Sequence, residues 1–130
     1  MEIIQPDGWA RPRGYSNGIV AEGRFLVVAG QIGWDADQRL VGPDFVDQLR
    51  QALLNIRAVL ATAGVGPETL VRLTWYVTDI ADYRSRVADV GAVYREVLGK
   101  IFPVMAVVAV SELVEPGAKV EIEATAILPR

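Results

Sequence analysis

The nine residues KVEIEATAI, positions 119–127, alternate strictly. Val120, Ile122, Ala124 and Ala126 fall on one side, and Glu121, Glu123 and Thr125 on the other. A period of two marks a strand with one buried face. On an isolated strand, the two carboxylates would be read as a solvated face; the alternative is that one of them belongs to a site.

Working backwards, FPVMAVVAV (102–110) is apolar on both faces and predicts an interior strand. LVRLTWYVT (70–78) is rich in β-branched and aromatic residues and predicts another. IVAEGRFLVVAGQ (19–31) holds two apolar runs around Glu22-Gly23 and predicts a hairpin. Phe45, Leu49, Leu53, Ile56 and Leu60 recur at helical spacing, with Asp44 placed to cap the start and Gly64 to end it. A second helix is predicted from Asp79, with Asp82 as reciprocal capping partner, through Ile80, Tyr83, Val87, Val90, Tyr94 and Leu98 to Gly99. The resulting order, ββ-α-β-α-ββ, describes an α+β domain over residues 1–130, with one mixed sheet and both helices on one face. The other face is left uncovered, which in a chain this apolar predicts a homo-oligomer.

Composition narrows the chemistry. The chain has 130 residues, 52% of them hydrophobic, and a net charge of −3. Its cations are eleven Arg and two Lys, scattered along the sequence, so no nucleic-acid footprint is expected. No apolar run reaches the roughly 18 residues of a membrane span, and the N-terminus lacks a signal layout, so a cytoplasmic location is expected. With no Cys and no His, thiolate and imidazole metal sites are excluded, as are His-dependent triads. No dinucleotide or phosphate-loop fingerprint is present, and no cofactor or metal is expected. Acid–base chemistry near neutral pH falls to Glu, Asp, Tyr, Lys or bound water.

Six blocks, GYSNGIV, VVAGQI, QLRQALLNIRAVLATAG, LTWYVTDIADY, FPVM and VEIEATA, occur in the order of the RidA/YjgF family, also labelled endoribonuclease L-PSP. The chain resembles that family over nearly its whole length. The resemblance implies a chorismate-mutase-like fold, a homotrimer, and small-molecule sites in the clefts between subunits. It also implies hydrolytic deamination of reactive imines and enamines. Residue by residue, it implies that Glu121 is the catalytic carboxylate that positions water, that Tyr15 is the pocket tyrosine, and that Ala29-Gly30-Gln31 is the turn lining the site.

The family's substrate-binding Arg falls at Met105, its small polar neighbours at Ala106 and Val107, and its helix-2 Asn at Gly91. Met105 and Val107 are therefore expected to line a pocket that has kept its carboxylate and lost its cation. Arg24, Arg72, Arg84 and Arg86 are the candidates to restore the charge. Trp34, and Trp9 earlier in the chain, are candidates for an aromatic wall. The expected substrate is an imine or enamine lacking the usual small carboxylate. A non-catalytic binding or regulatory trimer is the alternative, and an endoribonuclease a remote one that the acidic charge opposes.

Overall fold

The computed structural model describes residues 1–130. The chain runs β1 (Glu2–Ile4), β2 (Gly18–Val20), β3 (Arg24–Ile32), α1 (Phe45–Thr62), a 3-10 turn (Pro67–Thr69), β4 (Leu70–Val77), α2 (Ile80–Ser85), α3 (Val87–Leu98), β5 (Val104–Ala109) and β6 (Val120–Leu128). Four strands form the main sheet in the order β3-β6-β4-β5. The β4–β5 pair is parallel and the other two are antiparallel, giving the mixed α+β sheet expected.

The opening stretch is therefore a central strand, and its alternation is expressed as two faces. Val120, Ile122, Ala124 and Ala126 are buried beside Leu73, Trp75 and Val77 of β4. α1 packs on β3, β6 and α3 above this face. Trp75 carries the core towards the other helices, edge-on to Tyr83 of α2 and stacked with Tyr94 of α3, both with ring centroids 6.3 Å away. The opposite face of the sheet is bare. Phe25 and Val27 of β3 are 75% and 74% exposed there, so the uncovered apolar face expected from the sequence is present.

The caps follow the sequence. Asp44 accepts the Asp47 amide at 3.1 Å, and Gly64 follows α1 with φ of 79°. Arg86 Nη1 donates to the same Asp44 carboxylate at 2.6 Å and holds its pKa below the ordinary value. Asp79 accepts the amides of Ala81 and Asp82, without a reciprocal bond from the Asp82 side chain.

Three expectations are corrected. The hairpin across Glu22-Gly23 does not form. β2 pairs with β1 in a separate two-stranded sheet, Ile19 opposite Ile3, while β3 pairs with β6. Gly23, at φ of 144°, has no room for a side chain: a Cβ there would strike the Leu128 carbonyl and come within 2.8 Å of Ile127 Cγ2. That close approach lets β3 start against the end of β6. Second, β5 is an edge strand, not an interior one. It is apolar on both faces because Met105 and Val107 face the helices while Val104, Ala106 and Val108 continue the bare face. Third, the second helix is interrupted at Arg86, whose φ and ψ of −118° and 26° separate α2 from α3. The ion pair with Asp44 sits at this break.

One buried polar residue joins these parts. Gln48 is fully buried on α1. Its Nε2 donates to the carbonyls of Gly42 and Gly117 at 2.9 and 3.0 Å, and its Oε1 accepts the Lys119 amide at 2.8 Å. It ties the loop before α1 to the loop that feeds β6. Replacing Gln48 with Leu keeps the volume but leaves three backbone groups unpaired, so unfolding free energy is expected to fall by about 2–4 kcal/mol. In urea titrations the midpoint should drop with an unchanged m-value; an unchanged midpoint would show that the clamp is dispensable.

Candidate functional site

Glu121 stands on the bare face of β6, opposite Tyr76 of β4 and Ile32 of β3. The β3–β6 register shifts between Val28 and Gln31, and this bulge brings Gly30 under the Glu121 side chain. A Cβ on Gly30 would lie 2.7 Å from Glu121 Cδ and 2.9 Å from Cγ, so glycine is what lets the carboxyl group rest against the backbone. Gln31 Nε2 donates back to the Ala29 carbonyl at 3.1 Å and stiffens the bulge. Ala29, Gly30, Gln31 and Glu121 are thus brought together. Glu123 shares this face and accepts a hydrogen bond from the Tyr76 hydroxyl at 2.7 Å. That bond to an anion raises the Tyr76 pKa. Tyr76 was not singled out in the sequence, although its place on a strand two residues from Thr74 puts it on the polar face of β4.

Met105 and Val107 lie elsewhere. Both line a cavity of about 410 Å³ on the helix side, between β5 and the α2–α3 segment. Trp75, Tyr83 and Tyr94 form its aromatic wall, Gly91 lies on the α3 side, and Tyr15 and Phe102 close it from the loops. Tyr15 is held there by its neighbour. The buried Ser16 donates its hydroxyl to the Phe102 carbonyl, and its amide bonds the Pro103 carbonyl at 3.2 Å. The Trp75 indole Nε1 is buried without a hydrogen-bond partner.

The cavity is not without cations, but they are not the ones singled out from the sequence. Arg13, Arg95 and Lys100 line this cavity, and no Asp or Glu does. None of these three cations takes part in an ion pair. None of the four candidates named from sequence lines this cavity within its own chain: Arg24 donates to the Pro129 carbonyl, Arg86 is paired with Asp44, Arg72 lies on the bare face near Val27 and Thr125, and Arg84 is not in its lining. Arg13 was legible only as a neighbour of Tyr15, and Arg95 only through its spacing of four from Gly91. Trp34 is placed apart from both groups. It bridges Leu40, its carbonyl accepts Asn55 Nδ2 at 2.9 Å, and it lines none of the larger cavities. Trp9 is 62% exposed in the N-terminal segment.

The expected site residues therefore form two groups within one chain. β6 and β5 are separated by β4, about 10 Å sideways at ordinary strand spacing. The Glu121 group lies on the bare face and the Met105 group on the helix face. No three His, Cys, Asp or Glu side chains are grouped to hold a metal ion, and no helix is long and apolar enough to cross a membrane.

The family model described as Endoribonuclease L-PSP matches residues 9–128. The chain belongs to the RidA/YjgF family. A RutC family protein of Pyrococcus horikoshii is 35% identical over 126 residues, 96% of each chain. The 2-iminobutanoate/2-iminopropanoate deaminase of Capra hircus is 34% identical, covering 87% of this chain and 79% of that protein. Among solved structures, the Rid family protein YyfB of Yersinia pestis superposes with a TM-score of 0.83 at 35% identity over 98% of both chains. The YjgF gene product of E. coli superposes with 0.71 at 32% identity over 87% of both. The architecture is thus the YjgF, chorismate-mutase-like fold that the resemblance implied.

Burial in the RidA-type cavity wall raises the pKa values of Tyr83 and Tyr94. Their neutral forms are the ones the fold accommodates, so stability is fully present below the unfolded tyrosine pKa of about 10 and is lost as pH rises above it. An ultraviolet titration should show the Tyr94 phenol ionising only together with unfolding, and Tyr83 ionising later than an exposed tyrosine. Ionisation of all four tyrosines together near pH 10 in the folded protein would contradict the burial.

Proposed function

We propose that the protein is a deaminase-type hydrolase of imines and enamines, with a site completed only when the Glu121 group of one copy meets the Met105 group of another. The observation that supports this is the separation of the two groups on opposite faces, with the carboxyl group seated on Gly30 in an otherwise uncovered apolar face. Contact between two different patches is heterologous, and such contacts form a ring when the rotation between copies closes. The family resemblance supports a trimer as that ring. A relative 34% identical is a named 2-iminobutanoate/2-iminopropanoate deaminase, which supports the reaction class. The aromatic, Met- and Val-lined cavity supports a substrate with a larger apolar body.

In this reading an enamine first tautomerises to its imine, and the protonated C=N accepts water. Glu121 takes a proton from the water as its oxygen bonds the imine carbon. The Glu121 acid then protonates the nitrogen of the tetrahedral adduct. The C–N bond breaks as the oxygen forms the carbonyl and returns its proton to the carboxylate. The released ammonia takes that proton and leaves as ammonium, so the products are a carbonyl compound and ammonium, and the Glu121 carboxylate is regenerated. One carboxylate performs both transfers. A trimer that only binds its ligand is the second reading, favoured by the absence of any carboxylate or aliphatic hydroxyl in the cavity lining.

Ammonia release from freshly generated imines, followed in wild type and Glu121→Gln, separates these readings. Loss of Glu121 is expected to lower kcat at least about 100-fold, in line with the contribution of general acid–base catalysis, while ligand binding persists. Gly30→Ala should lower it as well, because the added Cβ displaces the carboxyl group. Wild-type release no faster than the spontaneous reaction would leave the binding trimer. Separately, Phe25→Asp with Val27→Asp should yield folded monomers in sedimentation and abolish turnover. Turnover by a monomer would defeat the composite site.

A further inference from the structure

We infer that the Met105 cavity selects ligands with a bulky apolar or aromatic body and a carboxylate head, gripped at its mouth by Arg13, Arg95 and Lys100. As a substrate class this rests on the proposed hydrolysis; as a binding preference it stands on the cavity alone.

Three separate segments bring the cations together. Arg13 comes from the loop anchored by Ser16, Arg95 from α3, and Lys100 from the link after Gly99, which turns with φ of 84°. They converge in a chain whose net charge is −3, on a cavity lined by no acid. Three other arginines are in ion pairs, Arg50 with Glu96, Arg86 with Asp44, and Arg130 with Glu22, while Arg11, Arg39, Arg72 and Arg84 are in none but line no part of this cavity. The three at the cavity are unpaired and exposed, which places them at its mouth. Arg95 lies back along α3 over Gly91, where an added Cβ would meet its Nη1 at 3.5 Å.

The interior has the opposite character. Met105 and Val107 present a thioether and a branched alkyl group, so a small carboxylate seated beside them would be desolvated without a partner. A longer ligand resolves the conflict by placing its apolar body against Met105, Val107 and Trp75 and its charge at the rim. The volume, about 410 Å³, falls within the roughly 300–1,000 Å³ of small-molecule pockets. Apolar walls lower the effective dielectric and strengthen the attraction between the rim cations and the head group.

The test is calorimetric titration of the full-length protein with three ketones: phenylpyruvate, pyruvate and phenylacetone. Phenylpyruvate has the aromatic body and the carboxylate, pyruvate the carboxylate alone, and phenylacetone the aromatic body alone. Phenylpyruvate is expected to bind at least about tenfold tighter than either, from the added apolar burial on one side and the charge on the other. The double change Arg13→Gln with Arg95→Gln should weaken phenylpyruvate at least about fivefold and leave phenylacetone unaffected. Both side chains are exposed, and unchanged thermal unfolding will confirm the fold. Equal affinity for pyruvate would overturn the apolar-body requirement. Equal affinity for phenylacetone, or indifference to the double change, would overturn the anionic grip.

Glu121→Gln should bind phenylpyruvate as wild type does. Selective binding without turnover of any imine would sink the hydrolase reading and leave this inference standing. Turnover of small imines without preference for phenylpyruvate would do the reverse.

Discussion

β6 is hydrogen-bonded along both edges and buried on one face, and this double constraint fixes the rest of the molecule. A slip of one residue would turn Ile122 and Ala124 out to solvent and drive Glu121 and Glu123 into the core. Burying unpaired carboxylates costs far more than any turn or cap could recover. The register is therefore set by side-chain chemistry, and with it the position of Glu121 over Gly30. Gln48 secures the start of the strand by accepting the Lys119 amide, while its amide nitrogen fastens two neighbouring loops. A site on a strand bonded on both edges inherits the stiffness of the sheet.

What the sequence disclosed depended on whether the signal was local. The alternation of 119–127, the stripe from Phe45 to Leu60, and the caps Asp44, Gly64 and Asp79 all act within a few residues, and all appear in the structure. Pairing is not local. Glu22-Gly23 has the composition of a hairpin turn, yet Gly23 is glycine because Leu128, far along the chain, passes against it. Apolarity on both faces of β5 has two causes that look alike in sequence, full burial or a bare sheet awaiting a partner, and only strand order distinguishes them. The break at Arg86 was hidden because the apolar spacing runs through it, while the ion pair to Asp44 spans 42 residues.

The candidate site divides the same way. Glu121 with Ala29-Gly30-Gln31, and Tyr15 with Met105 and Val107, were recognisable as members of a family pattern. Their assignment to opposite faces was not, because a pattern records order rather than register. The cations were further from view. Arg13, Arg95 and Lys100 sit on a loop, a helix and a link, and no spacing rule joins them. Looking for an arginine to replace one position on β5 directed attention to Arg24, Arg72, Arg84 and Arg86, whereas the fold places the charge at the rim, where longer side chains can reach it.

This division of charge bears on how copies of the chain meet. The bare face carries Glu121 and Glu123, with Arg72 as its cation, among apolar side chains, and the cavity edge carries three unpaired cations. In the proposed ring, the acidic, apolar face of one copy meets the cationic, aromatic edge of the next. Complementary charge favours this head-to-tail pairing, and like charges oppose face-to-face contact. The carboxylate and the anion-binding group of one site then come from different copies. Catalytic competence would follow the oligomer's mass action rather than the folding of a single chain. Placing base and cation on separate copies also prevents either from neutralising the other within the chain, as Asp44 and Arg86 do, so both remain available until a ligand lies between them.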